Sequence, residues 1–309
     1  MSIIKLLSLE NITKGLALGY YLLRHKIKKV PIAVNYDLTW NCNLRCKHCY
    51  FYSSTSELST IEKSELTDQE WLAIFKYHSD MGVSSCALTG GEPTLRMRLL
   101  KEAVKYFSSV QIASNGIIKL PRLNYPNKEP IYWVSLDGCE KTHNSIRGAN
   151  IFQKVMNNIE NDKRVLISMT INSFNYKEIL ETIKIAHDAN VSGFFFLFYT
   201  GYDNDILLLK GEKLKKVSKS ILKAMRDYGD FILISKKMLE LFITKEFVKS
   251  CVFKKQKVVS YYPNGQKKFC VMGNSPLLCK NCGCIVPVAS YALSKLDSET
   301  IDKIKKFPF

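Results

Sequence analysis

Cys42, Cys46 and Cys49, in the stretch Trp-Asn-Cys-Asn-Leu-Arg-Cys-Lys-His-Cys-Tyr over residues 40–50, are the residues whose type and spacing point most directly to chemistry. A Cys-x3-Cys-x2-Cys spacing cannot set three side chains on one side of a regular helix or strand, but a loop can turn all three toward one centre. Thiolates are soft ligands that suit zinc or an iron–sulfur cluster. A tetrahedral structural zinc site asks for a fourth ligand nearby. A [4Fe–4S] cube has four corners and is usually held by four Cys, so three Cys leave one iron open to something that is not protein. That is an arrangement for chemistry, although the spacing alone leaves both metals standing.

A second group lies near the end of the chain: Cys251, Cys270, Cys279, Cys282 and Cys284. Between them, Val258 to Tyr262 and Gln266 to Phe269 flank Pro263-Asn264-Gly265, and Asn-Gly between two strand-like runs predicts a β-hairpin. Ten cysteines in 309 residues do not read as a disulfide framework, given the length, the clustered spacing and the absence of a signal-peptide pattern. They read as metal binding in a reducing cytosol, so a cytoplasmic protein is expected.

Elements that can position these residues follow a regular alternation. Ala33 to Leu38 reads as a strand leading into the first cysteine loop. Thr67 with Glu70 forms a capping box that opens a helix running to Met81, with Gly82 as the stop. Ser84 to Leu88 is a strand followed by Thr89-Gly90-Gly91-Glu92-Pro93, a βα turn whose backbone can approach a ligand closely. Val110 to Ala113 ends in Ser114-Asn115-Gly116, and Ile131 to Leu136 ends in Asp137-Gly138. Arg164 to Ile171 is a strand, Tyr176 to Ala189 a helix and Ser192 to Phe198 a strand. Strands alternating with helices imply a parallel sheet, and six strands predict a partial (βα)6 TIM-like barrel with functional groups at the strand ends. Lys213 to Tyr228 and Lys236 to Lys249 read as helices leading away from it. The expected organisation is therefore an N-terminal segment over 1–29, the barrel over 30–200, linking helices over 201–250 and a small cysteine-rich hairpin module over 251–309.

Composition bounds the rest. The hydrophobic content of 46% and charged content of 24% are ordinary for a globular chain. The formal net charge of +17 favours anionic partners, or else reflects lysines on solvated helix faces. No basic stripe interleaved with aromatics and no nucleic-acid motif is present, so a nucleic-acid partner is not expected, and a metal-stabilised RNA-binding or tRNA-modifying protein stands only as the alternative from another class. Over residues 2–29, Ile4, Leu7, Ile12, Leu16, Tyr20, Leu23 and Ile27 recur at mostly three- to five-residue intervals, with cations at Lys5, Lys14, Arg24, Lys26, Lys28 and Lys29. This is a basic amphipathic helix, too short in its apolar run to span a bilayer. It fits either the inner membrane surface as a peripheral contact or a docking face on the barrel.

The Cys-x3-Cys-x2-Cys triplet with His48 before its last cysteine resembles the signature of the radical S-adenosylmethionine (SAM) superfamily. So do, in order, Gly90-Gly91-Glu92-Pro93, Ser114-Asn115-Gly116, Ser135-Leu136-Asp137-Gly138, and His143 with Ile146-Arg147-Gly148. The resemblance covers roughly residues 33–200. It implies that Cys42, Cys46 and Cys49 hold a [4Fe–4S] cluster whose open iron takes the amino and carboxylate groups of SAM. An electron from a ferredoxin- or flavodoxin-type donor would then cleave SAM to a 5′-deoxyadenosyl radical that abstracts hydrogen. It further implies that Gly90, Gly91 and Glu92 hold the SAM ammonium, that Ser114 and Asn115 contact SAM, and that Ser135 and Asp137 line the cavity. On the same basis His48 lies near the adenine, Arg147 pairs the SAM carboxylate, and Ser168 and Asn172 are candidates for the ribose. No general acid or base is marked, as suits a reaction whose difficult step belongs to the cofactor.

The later spacing, Cys251 to Gly265 to Cys270, resembles the start of the SPASM/Twitch extension of this superfamily, which implies a second, auxiliary [4Fe–4S] cluster. Five cysteines support one such cluster, on Cys251, Cys270, Cys279 and Cys282 with Cys284 as the rival to either of the last two; a zinc site on the same residues is the other reading. Two substrate classes follow. The SPASM-like module points to a peptide or small protein. The basic N-terminal helix with a short cysteine-bearing end is similar to members that modify membrane lipids, of the adenosyl-hopane or calditol synthase type, and tips the expectation toward a lipid.

Overall fold

The computed structural model describes residues 30–52, 63–123 and 129–305. The N-terminal amphipathic segment over 1–29 lies outside the described residues.

Six strands alternate with helices as the apolar runs predict: β1 (Ala33–Asp37), α1 (Asp68–Asp80), β2 (Ser85–Thr89), α2 (Met97–Tyr106), β3 (Ser109–Ser114), β4 (Ile131–Ser135), α3 (Glu140–Arg147), α4 (Phe152–Ile159), β5 (Val165–Ile171), α5 (Ile179–Asp188) and β6 (Gly193–Phe198). The capping box at the start of α1 is formed, with the Thr67 hydroxyl accepting from the Glu70 N–H and the Glu70 carboxylate accepting from the Thr67 N–H. Two helices follow, α6 (Gly211–Tyr228) and α7 (Lys236–Thr244), the second ending five residues before the expected Lys249. There Lys245 takes a left-handed conformation (φ 59°) and the chain continues as a short 3-10 turn. The hairpin β7 (Val258–Tyr261) and β8 (Lys267–Lys268) precedes α8 (Ile285–Ser294) and α9 (Ser298–Ile304).

The sheet runs β6-β5-β4-β3-β2-β1-β7-β8, parallel throughout except for the antiparallel β7–β8 pair. It is an open parallel sheet, a partial barrel. The hairpin is part of it, because β7 pairs in parallel with β1, Val258 opposite Ala33 and Ser260 opposite Asn35. At the opposite edge, the Phe198 N–H donates to the Gly283 carbonyl at 3.0 Å. A Cβ on Gly283 would lie 1.7 Å from the Phe198 carbonyl oxygen, so only glycine lets the chain pass there. The C-terminal cysteine segment thus reaches from one free edge of the barrel to the other.

The pleat sorts the residues. Val34, Tyr36, Leu88, Ile112, Val134, Ile167 and Phe194 face the helices and are buried. Tyr36 meets Trp71 and Phe75 of α1 at ring distances of 5.6 and 4.9 Å. The other face carries the polar residues: Asn35, Asp37, Thr89, Ser135, Ser168 and Thr170 share it by register. A parallel strand buried on both faces normally reads as continuously apolar. Polar groups on one face of such a sheet therefore mark an interior built to receive something.

Candidate functional site

The first cysteine loop leaves the end of β1 and is braced from two sides. The Gly90-Gly91 turn after β2 lies directly against it: the Gly91 N–H donates to the Thr39 carbonyl at 2.8 Å and the Glu92 N–H to the Asn41 carbonyl at 2.9 Å. A Cβ on Gly91 would sit 2.1 Å from the Asn41 oxygen. The glycine pair therefore serves a close approach to the cysteine loop itself, where the sequence suggested an approach to a ligand. On the other side, Glu65 accepts from the Thr39 hydroxyl and the Trp40 N–H, both at 2.7 Å, and Arg96 holds Glu65 at 3.1 Å. No spacing signal in the sequence marks Glu65 or Arg96; the loop that carries Glu65 meets the cysteine loop only through the fold.

Glu92 is 1% exposed, and its two oxygens are taken up inside the protein. One accepts from the Thr94 N–H (3.1 Å), the Thr94 hydroxyl (2.7 Å) and the Ser114 hydroxyl (2.9 Å), and the other from the Asn115 N–H (2.8 Å). Burial raises its carboxyl above the ordinary value against these bonds. Glu92 thus ties the turn after β2 to the turn after β3. Asn115 carries the tie onward, donating to the Asn43 side-chain oxygen at 2.7 Å and approaching the Cys42 sulfur at 4.0 Å.

Asp137, beyond the end of β4, has no exposed surface. It pairs with Arg147 at 2.5 Å, accepts from the Thr170 N–H at 2.9 Å and lies 3.6 Å from His48 Nε2. Arg147 in turn places its guanidinium 3.8 Å from the Cys46 sulfur. In this structure Arg147 is paired with a carboxylate within the chain, while its Nε has no partner. Burial pushes the Asp137 carboxyl up, but Arg147, His48 and His143 outweigh it and hold it below its ordinary value. Burial drives His48 and His143 down to about 4 each, so both are neutral at neutral pH. The Asp137 N–H donates to His143 Nδ1 at 3.1 Å, which places the ring proton on Nε2. Ser135 and Ser168 sit opposite each other on β4 and β5, facing the interior. Asn172 does not face it: its carboxamide bonds the backbone at Phe174 and Thr170, closing a turn.

The donor set fits an iron–sulfur cluster. His48 Nδ1, Arg147 Nε and His143 Nε2 are buried with no hydrogen-bond partner, and groups in that state ask for a reason. Two of them adjoin the cysteine loop. Among the described residues no three His, Cys, Asp or Glu side chains converge as the ligands of a single ion would; ligands of a cube hold separate irons and need not converge so tightly. Burial raises all three thiols, Cys49 to about 11, so metal binding would displace their protons.

The fold gathers the other five cysteines. Cys251 lies within electrostatic reach of Cys270, Cys279, Cys282 and Cys284, and burial pushes Cys270 up to about 11 and Cys282 to about 12. Cys279 is partly exposed, whereas Cys284 is buried at the start of α8. Lys254 bonds the Cys279 sulfur, and Lys245 Nζ donates to the Cys282 carbonyl at 2.8 Å. Cations around a group of thiols favour an anionic metal–thiolate centre. Cys86 and Cys139 take no part. Cys86 is buried in β2 among apolar side chains, and Cys139 borders Glu178 and Glu181.

The geometry agrees with what known proteins show. Residues 36–207, more than half of the chain, match the family model "Radical SAM superfamily". The chain is 30% identical over 180 residues to the sporulation killing factor maturation protein SkfB of Bacillus subtilis, covering 54% of this chain and 42% of that protein. It is 31% identical over 131 residues to the antilisterial bacteriocin subtilosin biosynthesis protein AlbA of the same organism, covering 38% and 27%. It thus spans less than half the length of these relatives. Among solved structures, Streptococcus suis SuiB bound to precursor peptide SuiA superposes with a TM-score of 0.61 at 16% identity, over 86% of this chain and 66% of that one. With three cysteines looped at the mouth of an open parallel barrel, and the motifs at the strand ends packed around them, the chain belongs to the radical SAM superfamily.

Proposed function

We propose that this chain is a peptide-modifying radical SAM enzyme carrying two [4Fe–4S] clusters. The observation that carries the reading is the gathering of all eight non-isolated cysteines into two groups at the open edge and mouth of one barrel, with Arg147 set against Cys46. Cys42, Cys46 and Cys49 would hold the first cluster, which when bound with SAM supplies a 5′-deoxyadenosyl radical for C–H activation. Around it the chain supplies position and charge. Glu92 and Asn115 fix the turns that face the loop, Asp137 aims Arg147 at Cys46, and neutral His48 and His143 keep the interior free of competing cations. Ser135, Ser168 and Thr170 offer hydroxyls on the interior face.

Cys251, Cys270, Cys279, Cys282 and Cys284 would hold the second cluster, one of them being supernumerary. Lys47 of the first loop and Lys141 of α3 line an open groove, and such a cationic face beside the centre suits an acidic ferredoxin- or flavodoxin-type electron donor.

For the substrate, the maturation and bacteriocin-biosynthesis relatives favour a peptide over the membrane lipid that the N-terminal segment suggests. Among the described residues no helix is long and apolar enough to cross a membrane. Anaerobic reconstitution with iron and sulfide, followed by iron counting and EPR with and without SAM, is the test. About eight irons per chain with one SAM-sensitive signal is the expected result; no SAM-sensitive signal overturns the reading. Co-sedimentation with anionic vesicles, lost on deletion of residues 1–29, would return the substrate to the lipid class.

A further inference from the structure

Lys268, two residues before Cys270, is buried, and its side chain has no exposed surface. Its ammonium pairs with Asp37 at 2.5 Å, and Asp37 has no exposed surface either. It also donates to the Val271 carbonyl at 2.8 Å. Three rings surround it, with centroids at 5.0 Å for Tyr50, 4.9 Å for Tyr262 and 5.8 Å for Phe51. Asp37 is the last residue of β1, five residues before Cys42, and its other oxygen accepts from the Thr89 hydroxyl at 2.6 Å and the Tyr50 hydroxyl at 3.3 Å. Trp40 stacks on Tyr262 at 5.6 Å and meets Phe51 edge-on at 5.3 Å.

These contacts divide between the two cysteine groups. Asp37, Trp40, Tyr50 and Phe51 flank Cys42 and Cys49, and Tyr262, Lys268 and Val271 flank Cys270. Withdrawing an ammonium and a carboxylate from water is costly, and apolar side chains of similar volume often fill such a place at no loss of stability. General stability is therefore a weak account of this pair. What the pair does distinctly is join the end of β1 to the strand that delivers Cys270.

We propose that Lys268 is a positioning residue that couples the two cysteine centres, holding the Cys270 strand against the first cysteine loop and setting the local charge between them. The proposal rests on the reading of both groups as iron–sulfur sites. A cation near an anionic centre stabilises its reduced form, and a carboxylate does the opposite. Lys268 lies within electrostatic reach of Cys270.

The test uses the full chain with Lys268→Met, Asp37→Asn, the double variant and Lys268→Arg. In reconstituted protein, potentiometric EPR titration should show the C-terminal centre at a lower potential in Lys268→Met and a higher one in Asp37→Asn. The double variant, which removes both charges, should return close to wild type, and Lys268→Arg should restore most of the shift. In protein before reconstitution, alkylation by iodoacetamide read residue by residue by mass spectrometry should speed up in Lys268→Met at Cys49 as well as Cys270, on the order of tenfold or more, as the loss of one partner of a buried pair implies. Faster alkylation at Cys270 alone, with Cys49 unchanged, reduces Lys268 to a local neighbour of one cysteine and overturns the coupling; so do unmoved potentials. Should Lys268→Met not fold, the double variant carries the test, and a potential far from wild type in it counts against the charge balance. If the first three cysteines take up no iron, the proposed function fails by itself, and the alkylation rates still decide whether the two loops are coupled.

Discussion

Cys42, Cys46 and Cys49 come from a single eight-residue loop, whereas Cys251, Cys270, Cys279, Cys282 and Cys284 come from a turn after the linking helices, the end of a hairpin and the approach to α8. The first group has no thiol to spare and leans on borrowed charges: Arg147 from the end of α3, and Asp137 behind it, with the neutral ring of His143 alongside. The second has one thiol more than a cube needs and is surrounded by lysines from three segments, Lys245, Lys254 and Lys268. An open coordination position demands few ligands and well-controlled surroundings. A closed one, as proposed for the second group, demands ligand count, and the chain brings its cysteines together by crossing both free edges of the sheet.

The comparison breaks most sharply if the groups are not independent metal sites. Cys46→Ala should abolish the SAM-sensitive EPR signal and 5′-deoxyadenosine formation while leaving about four of about eight irons in place. Loss of all iron in this variant would mean one site and not two.

Arg147→Leu should act next most strongly. It leaves Asp137 charged and buried without its partner, so urea unfolding should show a loss of about 3–5 kcal/mol. A change below about 1 kcal/mol would show that the interior is wetter than its burial implies.

His143 sharpens the comparison through pH, because the second group has no buried histidine beside it among the described residues. Its folded pKa is lowered to about 4. The unfolded chain therefore takes up this proton first as pH falls below the ordinary histidine value of about 6.5, and stability is lost progressively toward pH 4. The loss attributable to this ring is at most about 3 kcal/mol, and His143→Gln should flatten that part of the stability–pH curve. An unchanged curve would assign the acid sensitivity elsewhere.

Cys139→Ser marks the lower limit. Cys139 belongs to neither group, so iron content should stay the same and stability should move by no more than about 0.5 kcal/mol. Lost iron would redraw the boundary between the two sites.

Much of the barrel was legible because its signals are local. The apolar runs gave all six strands to within a residue or two, and Thr67 with Glu70 gave the start of α1. The hairpin was legible from Asn264-Gly265, but its place was not: that β7 extends the sheet at β1 depends on backbone pairing between segments more than two hundred residues apart. Likewise Gly90 and Gly91 were visible as a close approach, while the object approached, the backbone at Thr39 and Asn41, was not. The roles of Glu92 and Arg147 were read as facing a ligand, since sequence shows a charge without its neighbours. In the folded chain both oxygens of Glu92 and part of the Arg147 guanidinium also have partners inside the protein.

The sequence by itself determined the first cysteine loop, the alternation of strands and helices, and the family, because spacing within a loop and the periodicity of a strand are properties of neighbouring residues. The tertiary structure alone decided how the segments carrying five distant cysteines reach one another across the sheet edges, that Asp137 holds Arg147 against Cys46, and that Lys268 stands between the two groups. Those are facts about charges and thiols brought together by burial, and burial of a charge is worthwhile only where a partner from elsewhere in the chain is already in place.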